Sequence, residues 1–228
     1  MKVAAVTLGL AAVALTGATP HAPHRSAHAM DWTKTVVETP EGGFRMGDPK
    51  AKITVVEYGS LTCPHCRHFA ETAMKPLLDK YVRTGKASYE FRSFILNPID
   101  IAATLVARCG GSARFFPVTA DLYSRQRTWV ATLTDEQAQR LDALPTDQQM
   151  LEVGKVTGII PIAAKHGIAA TKVEDCLKSE PAAEQLEQQT QAASGLGINA
   201  TPTILVNGKQ VAAGDWATLE PFLKEAGG

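Results

Sequence analysis

Cys63-Pro64-His65-Cys66 is the segment whose residue types and spacing can do chemistry. Two thiols separated by two residues can close a disulfide between themselves and open it again by exchange with a third thiol. Whether they do depends on the element that holds them. Ahead of the motif, Ile53-Thr54-Val55-Val56-Glu57-Tyr58 is β-branched and apolar, as a buried strand should be, and Gly59-Ser60-Leu61-Thr62 ends it. From Cys63 onward Phe69, Ala73, Leu77 and Tyr81 recur at spacings of four, the helical pattern. Cys63 therefore falls where a strand hands over to a helix. There a sulfur lies beside unpaired backbone N–H groups and the positive end of the helix dipole, both of which favour thiolate over thiol. Cys63 is expected to be the acidic, exposed nucleophile of the pair. Pro64 suits the first helical position, and His65 is expected to add a hydrogen bond or, when protonated, a positive charge. Cys66 is expected to lie deeper with a higher pKa and to resolve mixed disulfides formed at Cys63. The competing readings are an inert disulfide or half a zinc site. Zinc needs a further ligand pair, and the nearest candidates, His65 and His68, stand on the same short segment.

The rest of the chain must supply the sheet and the cover. Gly85 stops the first helix, and Ala87 to Leu96 alternates around Tyr89, Phe91 and Ser93 as a second strand. From Pro98 to about Ser194 strand signals vanish. Thr134-x-x-Gln137, Thr146-x-x-Gln149 and Thr171-x-x-Glu174 all fit the capping box there, and a last helix, Ala182 to Ser194, should end at Gly195. Strand character returns at Thr203 to Val206, turns at Asn207-Gly208 and continues through Lys209 to Ala212; a final helix, Trp216 to Ala226, follows the cap Asp215. The lead, Asp31 to Lys50, can add a short edge strand at Thr35 to Val37. The expected architecture is α/β: a lead (30–50), a first part (51–97) and a last part (195–228) sharing one sheet, and a helical insertion (98–194) hung on it as a lid.

Composition narrows the setting. Twenty-three basic residues balance twenty-three acidic ones with no run of like charge, so nucleic acid is not an expected partner. Lys2 followed by the apolar run Val3 to Ala18, too short to span a bilayer, reads as a signal peptide (1–29). Cleavage is expected after Ala27-His28-Ala29, with a cut after Ala18 as the alternative. All four cysteines follow that segment, and an even count in an exported chain suggests two disulfides. Adjacency pairs Cys63 with Cys66 and leaves Cys109 with Cys176 as a structural bond, against the alternative of two buried free thiols. The chain has no P-loop and no G-x-G-x-x-G signature, so no nucleotide cofactor is expected, and no cofactor or resident metal of any other kind.

The segment Glu57-Tyr58-Gly59-Ser60-Leu61-Thr62-Cys63-Pro64-His65-Cys66, together with Gly197-Ile198-Asn199-Ala200-Thr201-Pro202-Thr203 about 140 residues downstream of the cysteines, resembles the two signatures of the DsbA-like thiol:disulfide oxidoreductases. The resemblance covers about Ile53 to Ala226 and implies a thioredoxin fold with an inserted helical domain. It implies that Thr201-Pro202 is a cis peptide facing the cysteines, with the Thr201 backbone pairing an extended substrate; an ordinary trans proline opening an edge strand is the alternative. Glu57 resembles the family's buried acid near the resolving cysteine, which relays the Cys66 proton, while the residues alone allow a solvated position equally. The implied activity is donation of the Cys63–Cys66 disulfide to exported proteins as they fold, by a soluble periplasmic or secreted monomer. A quinone-linked membrane protein would reoxidise it. An isomerase or reductase on the same fold, and a non-catalytic metal-binding module using Cys63, Cys66 and His68, are the alternatives.

Overall fold

The structure, a computed structural model, describes residues 1–4, 30–130 and 134–228; nearly all of the expected signal segment lies outside these residues. Its frame is one sheet of six strands in the order β1-β2-β4-β3-β5-β6. These are β1 (Val36–Glu38), β2 (Phe44–Gly47), β3 (Ile53–Gly59), β4 (Ala87–Ser93), β5 (Thr203–Val206) and β6 (Lys209–Val211). β3 and β4 run parallel, and the other neighbours are antiparallel. A parallel pair needs a crossover, supplied here by the helical run from Pro64 to Val82. The sequence reading expected the edge strand but missed β2, whose Phe44 and Met46 face the core while Arg45 between them does not.

The crossover is not one helix. It divides into α1 (Pro64–Thr72), α2 (Met74–Leu77) and a π-helical turn, Leu78–Val82. Pro76 explains the break: it has no N–H to return to Thr72, and its ring crowds that residue's carbonyl. Phe69, Ala73 and Leu77 are nevertheless fully buried and Tyr81 is 5% exposed, so the four-residue spacing seen in the sequence still marks the core face.

Between β4 and β5 the chain forms α3 (Pro98–Arg108), α4 (Phe115–Ser124), α5 (Gln126–Val130), α6 (Asp135–Asp142), α7 (Thr146–Val156), α8 (Ile160–Ala164), α9 (Ala170–Leu177) and α10 (Glu180–Gly195). Of the three expected capping boxes, the one at Thr134 and Gln137 forms. At α7 the N-cap is Pro145, and at α9 it is Ala169, which places Thr171 inside the helix. α10 runs through Gly195, and the chain turns at Gly197, whose φ of +85° is the left-handed conformation that glycine adopts without strain. The hairpin turn has positive φ at both Asn207 (48°) and Gly208 (79°), as a two-residue turn between twisted strands demands. α11 (Trp216–Glu225) starts at Asp215, whose carboxylate accepts from the Thr218 N–H at 2.9 Å.

Candidate active site

Cys63 is the N-cap residue of α1, with Pro64 immediately inside the helix. Its thiol is within 3.3 Å of the Thr201 carbonyl oxygen, to which it can donate, and the Thr201–Pro202 peptide is cis. Residues separated by most of the chain thus meet at the sulfur. The pKa of Cys63 falls from 9.0 to about 5; the largest cause is the hydrogen bond from the Cys66 thiol, followed by burial acting in the opposite direction. The Thr201 side chain and the backbone N–H groups of Cys66 and His65 lower it further. These amides are among the first-turn donors that an α-helix leaves unpaired.

Two expectations change here. Cys63 is only 5% exposed, so it is the more accessible of two buried thiols rather than an open one. The cis Thr201–Pro202 peptide stands against one side of its sulfur. The His65 ring is exposed and makes no hydrogen bond among the described residues; its backbone N–H, not its imidazole, lowers the Cys63 pKa. Cys66 is fully buried and its thiol is pushed far above the ordinary range, first by burial, then by its hydrogen bond to Cys63 and the charges of Glu57 and Cys63. The Ser60 N–H points at its sulfur from 3.5 Å.

Glu57 shares a face of β3 with Ile53 and Val55, and that face is the core side, which removes the solvated alternative. Its carboxyl is 2% exposed, and burial lifts its pKa to about 8 against the pull of the Tyr89 hydroxyl, which donates to Oε2 at 2.5 Å. The carboxyl's hydrogen-bonding neighbour is therefore a tyrosine of β4. Gly59 makes room for this: a Cβ there would stand 2.5 Å from the Phe91 ring and 2.9 Å from Glu57 Oε1.

The loop ahead of Cys63 is braced by residues that the sequence reading did not single out. Asp100, fully buried, accepts the Leu61 N–H at 2.9 Å and the Leu96 N–H at 3.1 Å. Asn97 caps α3 by accepting from the Asp100 N–H, and its amide donates to Thr62 Oγ1 at 3.1 Å. The Tyr123 hydroxyl donates to the Ser60 carbonyl at 3.1 Å. The Gln126 amide donates to the carbonyls of Leu61 at 2.8 Å and Cys63 at 2.9 Å. Asn97-Pro98-x-Asp100 has the form of a helix start and was the one available signal. Away from this centre, Cys109 and Cys176 are bonded (S–S 2.07 Å, Cα–Cα 5.9 Å), joining the end of α3 to α9. His166 pairs with Asp121 at 3.3 Å, and His68 is exposed. Among the described residues no three His, Cys, Asp or Glu side chains gather as metal ligands would.

Comparison with known proteins agrees with this geometry. The thioredoxin family profile matches residues 39–225. A Rickettsia bellii protein provisionally named a protein-disulfide oxidoreductase is 30% identical over 78% of this chain, which spans 61% of that protein's length. A protein-disulfide isomerase from Novosphingobium aromaticivorans is 29% identical with a TM-score of 0.76, covering 82% of this chain and 98% of its own. Wolbachia pipientis alpha-DsbA1 (21% identity, TM-score 0.68, 83% of this chain and 92% of its own) shares the fold. Among the described residues no helix is long and apolar enough to cross a membrane. With its cysteine pair at the start of α1, the cis proline opposite and a profile match over most of its length, the chain belongs to the thioredoxin family.

Proposed function

We propose that the protein is an exported thiol:disulfide oxidoreductase that donates the Cys63–Cys66 disulfide to cysteine-containing proteins as they fold outside the cytoplasm. The observation that carries this reading is the seat of Cys63, at the N-cap of α1 and 3.3 Å from the Thr201 carbonyl. An extended substrate strand pairing with the Thr201 backbone would bring its own cysteine to that sulfur. The substrate thiolate attacks Cys63 of the disulfide, and the S–S electron pair leaves on Cys66. Cys66 cannot remain a thiolate where it is buried, so it takes a proton from Glu57, whose raised pKa keeps its carboxyl protonated at neutral pH. A second substrate thiolate then attacks the substrate sulfur of the mixed disulfide and expels Cys63, the better leaving group because its thiolate is the stabilised one. The substrate is oxidised by two electrons, and the enzyme is left with a Cys63 thiolate and a Cys66 thiol. A quinone-linked membrane protein would restore the disulfide. Because only about three fifths of the Rickettsia relatives' length is matched, substrates and partners rest on this site alone.

Isomerisation is the second reading, favoured by the 29% identity to a protein-disulfide isomerase over nearly all of that protein. Incubating the oxidised protein with reduced, unfolded ribonuclease A, and separately the reduced protein with scrambled ribonuclease A, distinguishes them. Faster disulfide formation in the first assay without activity gain in the second supports the donor; the reverse supports the isomerase. Loss of both activities in Cys63→Ser is required by either.

A further inference from the structure

A cavity of about 270 Å3 lies between the sheet and the helices α1, α2 and α4, and neither Cys63 nor Cys66 lines it. Its mouth is at Glu71, Ala120 and Ser124, which are exposed. Its walls are apolar, with Met46, Met74, Leu78 and Phe116 among them. Two of its lining residues, Glu57 and Thr119, are 2% and 6% exposed. Glu57 Oε1 and Thr119 Oγ1 are also the buried side-chain oxygens with no hydrogen-bond partner among the described residues. That both should line one cavity needs an explanation, because an unpaired buried polar atom is costly.

Thr119 sharpens the point. A threonine within a helix can turn its hydroxyl back to the carbonyl four residues earlier. Thr72, Thr157 and Thr190 do so in this protein, to His68, Val153 and Leu186. Thr119, inside α4, does not. Glu57 likewise uses only one of its oxygens, accepting from Tyr89 through Oε2. The site has the form of a ligand pocket: an apolar body with a few convergent polar groups.

We propose that this cavity binds a neutral small molecule with an alkyl or aromatic body and one terminal hydroxyl, the body among Met46, Met74, Leu78 and Phe116 and the hydroxyl meeting Glu57 and Thr119. The size admits more than benzene, which fills a cavity of about 150 Å3, yet lies at the lower end for ligand pockets, so the molecule is compact. Charge selects neutrality. An ion of either sign would find no fixed counter-charge there: the Glu57 carboxyl is protonated at neutral pH, and the other acidic side chain, Glu71 at the mouth, is already paired with Arg67 at 2.8 Å. A hydroxyl both donates and accepts, and so suits a threonine hydroxyl and a carboxyl in either protonation state.

The probe is 4-butylphenol, with butylbenzene as the same body lacking the hydroxyl, each titrated by calorimetry and amide NMR onto the oxidised full chain. Neither measurement needs exchange activity, so the result is independent of the function proposed above. The expected result is saturable one-site binding of 4-butylphenol with shifts in β3 and α4. Butylbenzene should bind about threefold to tenfold more weakly, the range of one neutral hydrogen bond. Thr119→Val should erase that difference, and Ala120→Phe at the mouth should weaken both ligands. Absence of saturable binding, equal binding of the two probes, or binding indifferent to Ala120→Phe each overturns the proposal. Should Thr119→Val fail to fold, the two-probe comparison and Ala120→Phe still decide.

Discussion

Reducing Cys63–Cys66 should stabilise the folded protein at neutral pH and destabilise it in acid. Cys63 ionises in the folded reduced protein at about pH 5 against 9.0 for an unperturbed thiol. A depressed pKa contributes stability that is complete above the unfolded pKa and lost as pH falls through the folded one. At pH 7 the two-unit gap above the folded pKa is worth about 3 kcal/mol to the reduced form, at pH 8 about 4, and at pH 5 less than 1. The oxidised form has no thiolate, and its gain is loop closure in the unfolded chain. For so small a ring that gain is about 2 kcal/mol in the entropy model. Glu57 is buried in both redox forms, so its cost largely cancels in the difference. The reduced protein should therefore be the more stable by about 1 kcal/mol at pH 7 and about 2 at pH 8, and the less stable at pH 5, with the order reversing between pH 6 and 7. Urea unfolding of both forms across pH 5 to 8 reads this directly, with the Cys109–Cys176 bond verified by mass in each sample. An oxidised form more stable at pH 8, or a difference that does not change with pH, would refute the argument that the fold stabilises the Cys63 thiolate.

Iodoacetamide should modify reduced protein at Cys63 alone, with a rate titrating near pH 5, while buried Cys66 stays unmodified; peptide mapping after timed quenches reads both. If Glu57 donates the proton to Cys66 as proposed, Glu57→Gln should slow the attack step in stopped-flow exchange about tenfold or more near neutral pH and remove its dependence on a group of pKa about 8. Gln126→Leu leaves the Leu61 and Cys63 carbonyls without their amide donor; denaturant midpoints should report a loss of about 1–3 kcal/mol, with the Cys63 alkylation profile displaced as a sign that the loop has shifted. Replacing Cys109 and Cys176 together by alanine should cost about 4 kcal/mol by opening a closure across 67 residues, measured in the same unfolding assay, and should leave the Cys63 titration in place.

What the sequence made visible, and what it hid, follows from the range of the interactions. The strand-to-helix placement of Cys63 is local, and was legible from Val55, Val56, Phe69 and Leu77 alone. The Thr201–Pro202 contact spans 138 positions and came from the resemblance, not from periodicity. Glu57 was undecidable because β3 is apolar on both faces, so no alternation says which side a lone acid takes; the register with β4, which brings Tyr89 alongside, settles it. Asp100, Tyr123 and Gln126 read as ordinary helical residues because their partners are backbone groups of a loop roughly 40 to 65 positions away. Thr146 and Thr171 misplaced the helix starts because a threonine three residues before an acid or amide is common; the N-caps are Pro145 and Ala169. Pro76 was a readable signal for a broken helix and was outweighed by an unbroken apolar stripe.

The braces on the Ser60–Cys63 loop bear on how this molecule can be divided. Leu61 hands its amide to Asp100 and its carbonyl to Gln126, Cys63 hands its carbonyl to Gln126, and Ser60 hands its carbonyl to Tyr123. The acceptor Asp100 and the donors Tyr123 and Gln126 belong to α3, α4 and α5. A chain in which residues 98–194 were replaced by a short linker would keep both cysteines, the cis proline and every strand. It would also strip the Leu61 amide and carbonyl of Asp100 and Gln126, and leave the Ser60 and Cys63 carbonyls with only the backbone N–H groups of Cys63 and Arg67. The block between β4 and β5 is thus part of the chassis of the reactive loop, and grafting CPHC with its flanking strands onto a minimal scaffold would transfer the letters of the motif without the geometry that gives them their reactivity.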